Sequence, residues 1–391
     1  MNKLNTQPNR REFLKTTGLA TLAVSMPIAA KPKELLVYVG TYTNKGTSDG
    51  IYICKLNLAT GELTKFSSAK SQDPAFLAID RTRKFLYAAN EIGEFNGQKS
   101  GAVSAFAIHQ KTGELTFLNQ QATNSPGPCS VIVDKSGKCV LAANYSGGSV
   151  SAFPVKADGS LSELSDLVQH QGSSINPNRQ KEPHAHTIII DDSNRFAFCA
   201  DLGMDKVMIY KLDAKRGKLT PNTPAFAAVK PGAGPRHFKI HPNNRFAYVI
   251  NELDETVIAF AFDKSQGTLK EIQTVPTLPA DFTGTSYCAD IHVHPSGKFL
   301  YGSNRGHDSI VVYTIDAGTG KLTLAQHQST QGKWPRNFAI DPTGQFLLVA
   351  NQNTNNIVIF RIDPQTGQLA PTGHMLELPL PVCLKLIPIF S

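Results

Sequence analysis

The eleven residues HPNNRFAYVIN, 241–251, return at the same length in five other places: DRTRKFLYAAN (80–90), DKSGKCVLAAN (134–144), DDSNRFAFCAD (191–201), HPSGKFLYGSN (294–304) and DPTGQFLLVAN (341–351). Each copy begins with a turn rich in Asp, Asn, Ser and Gly and runs into an apolar stretch of the kind that forms a β-strand. LLVYVGT (35–41) supplies a seventh copy without its turn. A second unit follows every copy, as in TVIAFAFDKSQGTLK (256–270) and SIVVYTIDAGTGKLT (309–323), and it also occurs seven times. It reads as a strand ending in a Gly-x-Leu corner, where Gly supplies the positive φ that a tight hairpin or bulge needs. Adding the strand before each turn and the strand after each corner gives four antiparallel strands in about fifty residues, the pattern of a propeller blade. The fold class expected is therefore all-β, a seven-bladed β-propeller with four-stranded antiparallel blades.

The chain ends explain how the ring closes. Blade one starts at LLVYVGT and lacks an inner strand, while the apolar run Pro381 to Ile387 follows the last complete repeat. That run is expected to complete blade one, which removes the free edges an open array would leave. Residues 34–391 are read as one propeller domain, with Asn176 to Lys181 inserted before the inner strand of blade four. Residues 1–30 are read separately. Arg10-Arg11-Glu12-Phe13-Leu14-Lys15, an apolar run from Thr16 to Ile28 and then Ala29-Ala30 have the form of a Tat-type export signal. A periplasmic or otherwise exported location follows as an expectation, and the apolar run is short for a bilayer span.

Composition narrows the function classes. The formal charge is +8, and residues 1–30 carry Lys3, Arg10, Arg11 and Lys15 against Glu12, which leaves +5 for the rest. These charges are dispersed, with no basic run or aromatic-basic stripe, so no nucleic-acid partner is expected. No membrane span is expected either, and a propeller of this size buries its core without a partner, so a monomer is the expectation. Six cysteines at irregular positions (54, 129, 139, 199, 288 and 383) read as single buried thiols rather than a disulfide framework. No Cys/His metal spacing is present, and an all-β repeat offers no strand-to-helix elbow for a Ser nucleophile of the α/β-hydrolase kind.

Because the blades share one register, equivalent positions can be compared within the chain. Five residues before the turn residue stand Ala75, Cys129, His186, Arg236, Ala289 and Arg336; four before it, Phe76, Ser130, Thr187, His237, Asp290 and Asn337. Eleven after it stand Glu91, Tyr145, Leu202, Glu252, Arg305 and Gln352. These positions belong to one end of every blade, so polar and charged groups gather around one mouth of the central channel, the kind of concavity where small-molecule sites form. His186, Arg236, Glu252 and Arg305 are the candidate catalytic residues, and His184, His237, Asp290 and Arg336 the candidate substrate-binding residues. His241 and His294 replace Asp in the turn and read as caps, Glu91 reads as a rim residue, and His292 on an inner strand is left open.

At GPRHFKIHP, NEL and ADIHVHPSGKFLYGSNRG the chain closely resembles the seven-bladed propeller lactonases, a family that includes bacterial 6-phosphogluconolactonases and fungal carboxy-cis,cis-muconate cyclases. The resemblance covers essentially the whole chain after residue 30. It implies a site acting on a small anionic lactone, with the family's His, two Arg and Glu falling on His186, Arg236, Arg305 and Glu252. No cofactor is expected, and although Glu252, Asp290 and Asn304 could supply oxygen ligands to a calcium ion, the two arginines beside them would repel it, so no metal is expected. Lactone hydrolysis needs an activated water, a polarised carbonyl and a proton for the leaving ring oxygen. The expectation is that Glu252 takes the water proton, that His186 assists as a donor, and that Arg236 and Arg305 bind an anionic substituent; Glu252 and His186 can exchange roles. Glu252→Gln is expected to lower turnover with the fold intact. Two readings compete: the reverse, lactonising reaction of the muconate cyclases, and a non-catalytic exported binding scaffold.

Overall fold

The computed structural model describes residues 33–44 and 46–389 together with Met1 and Asn2; the export signal expected over residues 1–30 otherwise lies outside the described residues. Among the described residues, seven antiparallel sheets of four strands each follow one another along the chain. Blade five shows the pattern: an inner strand Pro235–Ile240, then Phe246–Asn251, Thr256–Asp263 and the outer Thr268–Pro276. The second strand FAYVIN is buried along its whole length because blades cover both its faces, whereas the outer strand faces solvent and alternates.

The turn that opens the repeat is held by its first residue. Asp80 accepts backbone N–H bonds from Thr82 (2.9 Å), Lys84 (2.8 Å) and Phe85 (2.8 Å), and Asp134, Asp191 and Asp341 act in the same way. His241 and His294 do this with an imidazole: Nδ1 accepts from Asn243 N (3.0 Å) and Ser296 N (3.1 Å). Their Nε2 atoms donate to the carbonyls of Gly297 (2.8 Å) and Gly344 (2.9 Å) in the next blade, so they are caps as expected and also tie neighbouring blades together. The fourth turn residue takes a positive φ, which explains Gly137, Gly297, Gly344, Asn194 and Asn244 at that position.

The core is divided among the blade interfaces. Seven apolar clusters each join one pair of adjacent blades, for example Phe198, Ile209, Phe238 and Val249 between blades four and five. The second-strand tyrosines Tyr38, Tyr87, Tyr248 and Tyr301 are buried there, and each hydroxyl donates to the glycine carbonyl of a neighbouring blade's Gly-x-Leu corner, at 2.8 to 3.1 Å. The inner strands touch in succession around the channel. As expected, Pro381–Pro388 is the inner strand of blade one: it pairs with Glu34–Thr41 from Leu35↔Pro388 to Thr41↔Pro381, and it touches the inner strands of blades two and seven. All six cysteines are free and buried.

Candidate active site

A bulge aims the site residues. In blade five Pro235 pairs with Asn251 and His237 with Ile250, so Arg236 has no partner across the ladder. The same shift isolates His186 in blade four, Arg336 in blade seven and Cys129 in blade three, and blade six has a wider irregularity across Ala289 and Asp290. An extra residue at the channel end of an inner strand bends it and turns that side chain out of the usual alternation. Register position five before the turn is thus set apart from the ladder for a backbone reason.

Glu252, just past the second strand of blade five, sits among guanidinium groups. Its Oε2 accepts from Arg236 Nε at 2.9 Å and from Arg305 Nη2 at 2.8 Å, while Oε1 accepts from Arg179 Nη2 at 2.6 Å. Burial by itself raises the Glu252 pKa, but Arg305, Arg236 and Arg179 outweigh it and hold the carboxyl at about 2. The arginines are fixed from behind: Arg236 Nη1 donates to the Ala289 carbonyl, and Arg305 donates to the carbonyls of Cys288 (3.0 Å) and Tyr287 (3.3 Å). Burial, together with Arg305 and Arg336, pulls the Arg236 pKa down to about 10 against the pull of Glu252, so it stays charged at neutral pH. Arg305 also lies over the Trp334 ring, 5.3 Å from its centroid.

Arg179 comes from the insertion before blade four and was not among the residues picked from the register. The register could not find it, because the loop has no counterpart in the other blades; the interruption of the repeat was its only signal. Arg179 also donates to Tyr145 Oη at 3.1 Å. Tyr145 stacks on His184 with ring centroids 4.5 Å apart, and His184 Nδ1 donates to the Tyr145 carbonyl at 3.0 Å. His184 therefore stands in the wall of the mouth.

His186 lies under this wall, its ring 5.3 Å from Tyr145 and 5.4 Å from His237. Burial first, then the charge of Arg236, depresses its pKa well below the ordinary imidazole range, so it is neutral at pH 7. The Cys129 thiol donates to the His186 carbonyl at 3.2 Å. Arg336 faces Glu91 at 3.6 Å and covers the Tyr42 ring, while Tyr42 Oη donates to Glu91 at 2.6 Å. Glu91 is thereby part of a second charged pair on the rim.

His237 and Asp290 form a separate pair. Asp290 Oδ1 accepts from His237 Nδ1 at 2.7 Å and from Ile291 N at 2.9 Å; Oδ2 accepts from His292 Nε2 at 2.9 Å and from Asn337 Nδ2. Burial opposes its charge, yet these donors hold Asp290 well below the ordinary carboxyl range. Burial and then Arg236 depress the His237 pKa to about 3, leaving neutral imidazoles on an ionised carboxylate. The oxygens of Glu252, Asp290 and Asn304, which could in principle hold a divalent cation, are each engaged: Glu252 by arginines, Asp290 by histidines, and Asn304 Oδ1 by the Cys288 thiol at 3.3 Å.

Residues 36–386 match the family model described as Lactonase, 7-bladed beta-propeller. The chain is 42% identical over 306 residues to a 6-phosphogluconolactonase of Bacillus subtilis, covering 78% of this chain and 84% of that protein. It is 39% identical over 316 residues to a 6-phosphogluconolactonase of Formosa agariphila, covering 78% and 86%. Its structure is similar to that of a periplasmic gluconolactonase of Pseudomonas aeruginosa, with a TM-score of 0.86 and 33% identity over 91% of this chain and 99% of that one.

Proposed function

This chain belongs to the seven-bladed β-propeller lactonase family, and from that premise we propose that it hydrolyses an anionic sugar lactone, with 6-phosphoglucono-1,5-lactone the first candidate. The observation that carries the reading is the clamp of Arg179, Arg236 and Arg305 on Glu252 at the mouth beside a neutral His186. One carboxylate among three guanidiniums leaves cationic donors for a substrate phosphate or carboxylate and for the oxyanion that develops on the lactone carbonyl.

The electrostatics favour one order of the two proton-handling roles. A carboxyl with a pKa of about 2 is a poor base near neutral pH. Glu252 instead anchors the arginines, and the neutral His186 takes the proton from the attacking water. The imidazolium so formed is disfavoured by burial and by Arg236, which makes it a ready donor to the ring oxygen when the C–O bond breaks. Ring opening then returns His186 to its neutral state and yields the hydroxy acid. His184, Tyr145 and Arg336 shape the mouth in which the sugar lies.

The test is hydrolysis of 6-phosphogluconolactone, unphosphorylated gluconolactone and a carboxymuconolactone by the protein lacking residues 1–30, each also with His186→Asn. Turnover on a sugar lactone that is lost in the variant supports the reading. Turnover confined to the carboxymuconolactone favours the muconate-cyclase class, and no turnover on any of the three favours a binding scaffold.

We also propose that residues 1–30 direct export, on the strength of Arg10-Arg11 and the apolar run that follows. Cell fractionation tests this: the protein is expected outside the cytoplasm, and Arg10→Lys with Arg11→Lys is expected to retain it inside. An unchanged distribution would overturn the proposal.

A further inference from the structure

We propose that the far end of the central channel, opposite the clamp on Glu252, is a second binding site, one that takes a monocarboxylate with a short apolar body. The channel opens there into a cavity of about 620 Å³, within the range that holds small organic ligands. Lys239 and Lys385 line it together with Ile79, Ile132, Ile189 and Ile387, and Arg81, Arg83, Lys135, Asp80 and Asp192 stand at its turn-side rim. Two residues before the turn, other blades carry Ala78, Ile132, Ile189, His292 and Ala339, so blade five alone of these places a lysine there. Lys385 is its counterpart on the closing strand of blade one, and the inner strands of blades six and seven lie between the two along the ring.

Both lysines are half-buried, and among the described residues neither donates a hydrogen bond nor makes an ion pair. Lys385 Nζ has only a ring for company, 4.4 Å from the centroid of Phe76. Asp290 attracts Lys239 but does not bind it, because both its oxygens are taken by His237, His292, Asn337 and the Ile291 N–H. Burial works most against the Lys239 ammonium, the Asp290 charge opposes it, and Lys385 adds a smaller repulsion. Two ammonium groups without a hydrogen-bonding partner in a half-buried throat are costly unless an anion completes them.

The carboxylates at the rim do not serve. Asp80 is spent on its own turn, and Asp192 is paired with Lys135 and accepts from Asn244. Phe76 and His237 line both this cavity and the small pocket below His186 and Arg236. That pocket has room for about 10 Å³, no more than one water. The far cavity is therefore a site distinct from the clamp.

The chemical class follows from the walls. Two ammonium donors match the two oxygens of a carboxylate, and the isoleucines accommodate a short alkyl body. A phosphate would leave further oxygens facing those isoleucines, and a neutral alcohol would leave the lysines uncompensated.

The experiment is calorimetric titration of the wild-type protein with hexanoate, inorganic phosphate and hexanol. Hexanoate is expected to bind more tightly than either of the others by about tenfold, the worth of a charge-assisted hydrogen bond. Lys239→Met and Lys385→Met are each expected to weaken hexanoate by about tenfold or more while lactone turnover, which also reports folding, stays unchanged; Lys239→Arg is expected to retain binding. Arg305→Met is expected to bind hexanoate as the wild type does. Equal affinity for phosphate would overturn the ligand class. Hexanoate binding that survives both lysine variants, or is lost in Arg305→Met, would place it elsewhere and overturn the site.

Discussion

Arg179 Nη2 lies 2.6 Å from Glu252 Oε1 although 73 residues separate the two in sequence, so the insertion before blade four closes over a carboxylate of blade five. Its guanidinium is one-third exposed while the carboxylate is nearly buried, which makes Arg179 the outermost of the three clamping arginines. The loop is held independently of that side chain: Gln180 N donates to the Asn176 carbonyl at 2.9 Å and Gln180 Nε2 to the Leu202 carbonyl at 2.8 Å. Arg179→Met is therefore expected to lower kcat/KM on the preferred lactone by about 10- to 100-fold, the worth of one charge-assisted hydrogen bond, with little change in melting temperature. An unchanged kcat/KM would remove Arg179 from the site.

His186 and Glu252 are expected to fail in different ways. His186→Asn removes the proton acceptor, so kcat should fall by about 10²- to 10⁴-fold with KM nearly unchanged. Glu252→Gln leaves three guanidiniums around a neutral amide. Removing one partner of a buried ion pair costs about 3–5 kcal/mol, so this variant should lose thermal stability as well as substrate affinity. That departs from the sequence-based expectation of an intact fold, because the clamp makes Glu252 structural too. Steady-state kinetics beside a melting curve separates the two, and a Glu252→Gln protein that melts like the wild type would show that the clamp contributes little.

Much of this was legible because the chain repeats itself. Equal spacing from turn to strand end placed Arg236, Glu252 and Arg305 at one end of neighbouring blades, and the structure joins them at 2.8 and 2.9 Å. What escaped lies where the repeat gives no register or where geometry below the level of spacing decides. Arg179 stands in an insertion. The bulge that turns His186 and Arg236 toward the mouth is a backbone feature that spacing does not encode. His237 and Asp290 were grouped with the mouth by register, yet hydrogen bonding joins them to His292 and Asn337 along the channel. Lys239 was visible as a departure from Ala, Ile and His in equivalent blades, but only the folded ring sets it across from Lys385.

The His237–Asp290 pair predicts how stability depends on pH. The unfolded chain binds the His237 proton as pH falls below about 6.5, whereas the folded chain resists it until about 3. Between those values the unfolded state holds more protons, so this residue's contribution to stability is complete above pH 6.5 and is lost as pH falls toward 3. His237→Asn keeps a donor for Asp290 and removes the titration. Denaturant unfolding between pH 7 and 4 should show a shallower loss of stability in the variant, by up to about 1.4 kcal/mol per pH unit. Parallel curves for the two proteins would mean that His237 takes up its proton in the folded state as readily as in the unfolded chain.

The closing strand makes the last prediction. Val382, Cys383, Leu384 and Ile387 are buried, and the strand does more than fill blade one: Leu384 N donates to Asn337 Oδ1 of blade seven at 2.7 Å, while Cys383 Sγ accepts from Leu77 N of blade two at 3.3 Å. Leu384 belongs to the cluster between blades one and seven, and Cys383 and Ile387 to the cluster between blades one and two. Ending the chain at Glu377 removes part of both clusters and leaves the inner edge of Glu34–Thr41 unpaired. Each large apolar side chain lost takes about 1.5–3 kcal/mol with it, against a total stability of about 5–15 kcal/mol. The truncated protein is expected to be insoluble or to elute as aggregates in size-exclusion chromatography. Leu384→Ala, which keeps the strand and opens one interface, is expected to remain monodisperse with a lowered melting temperature. A truncated chain that folds and melts cooperatively would mean that six complete blades and a partial one suffice, and that the C-terminal strand is dispensable for closure.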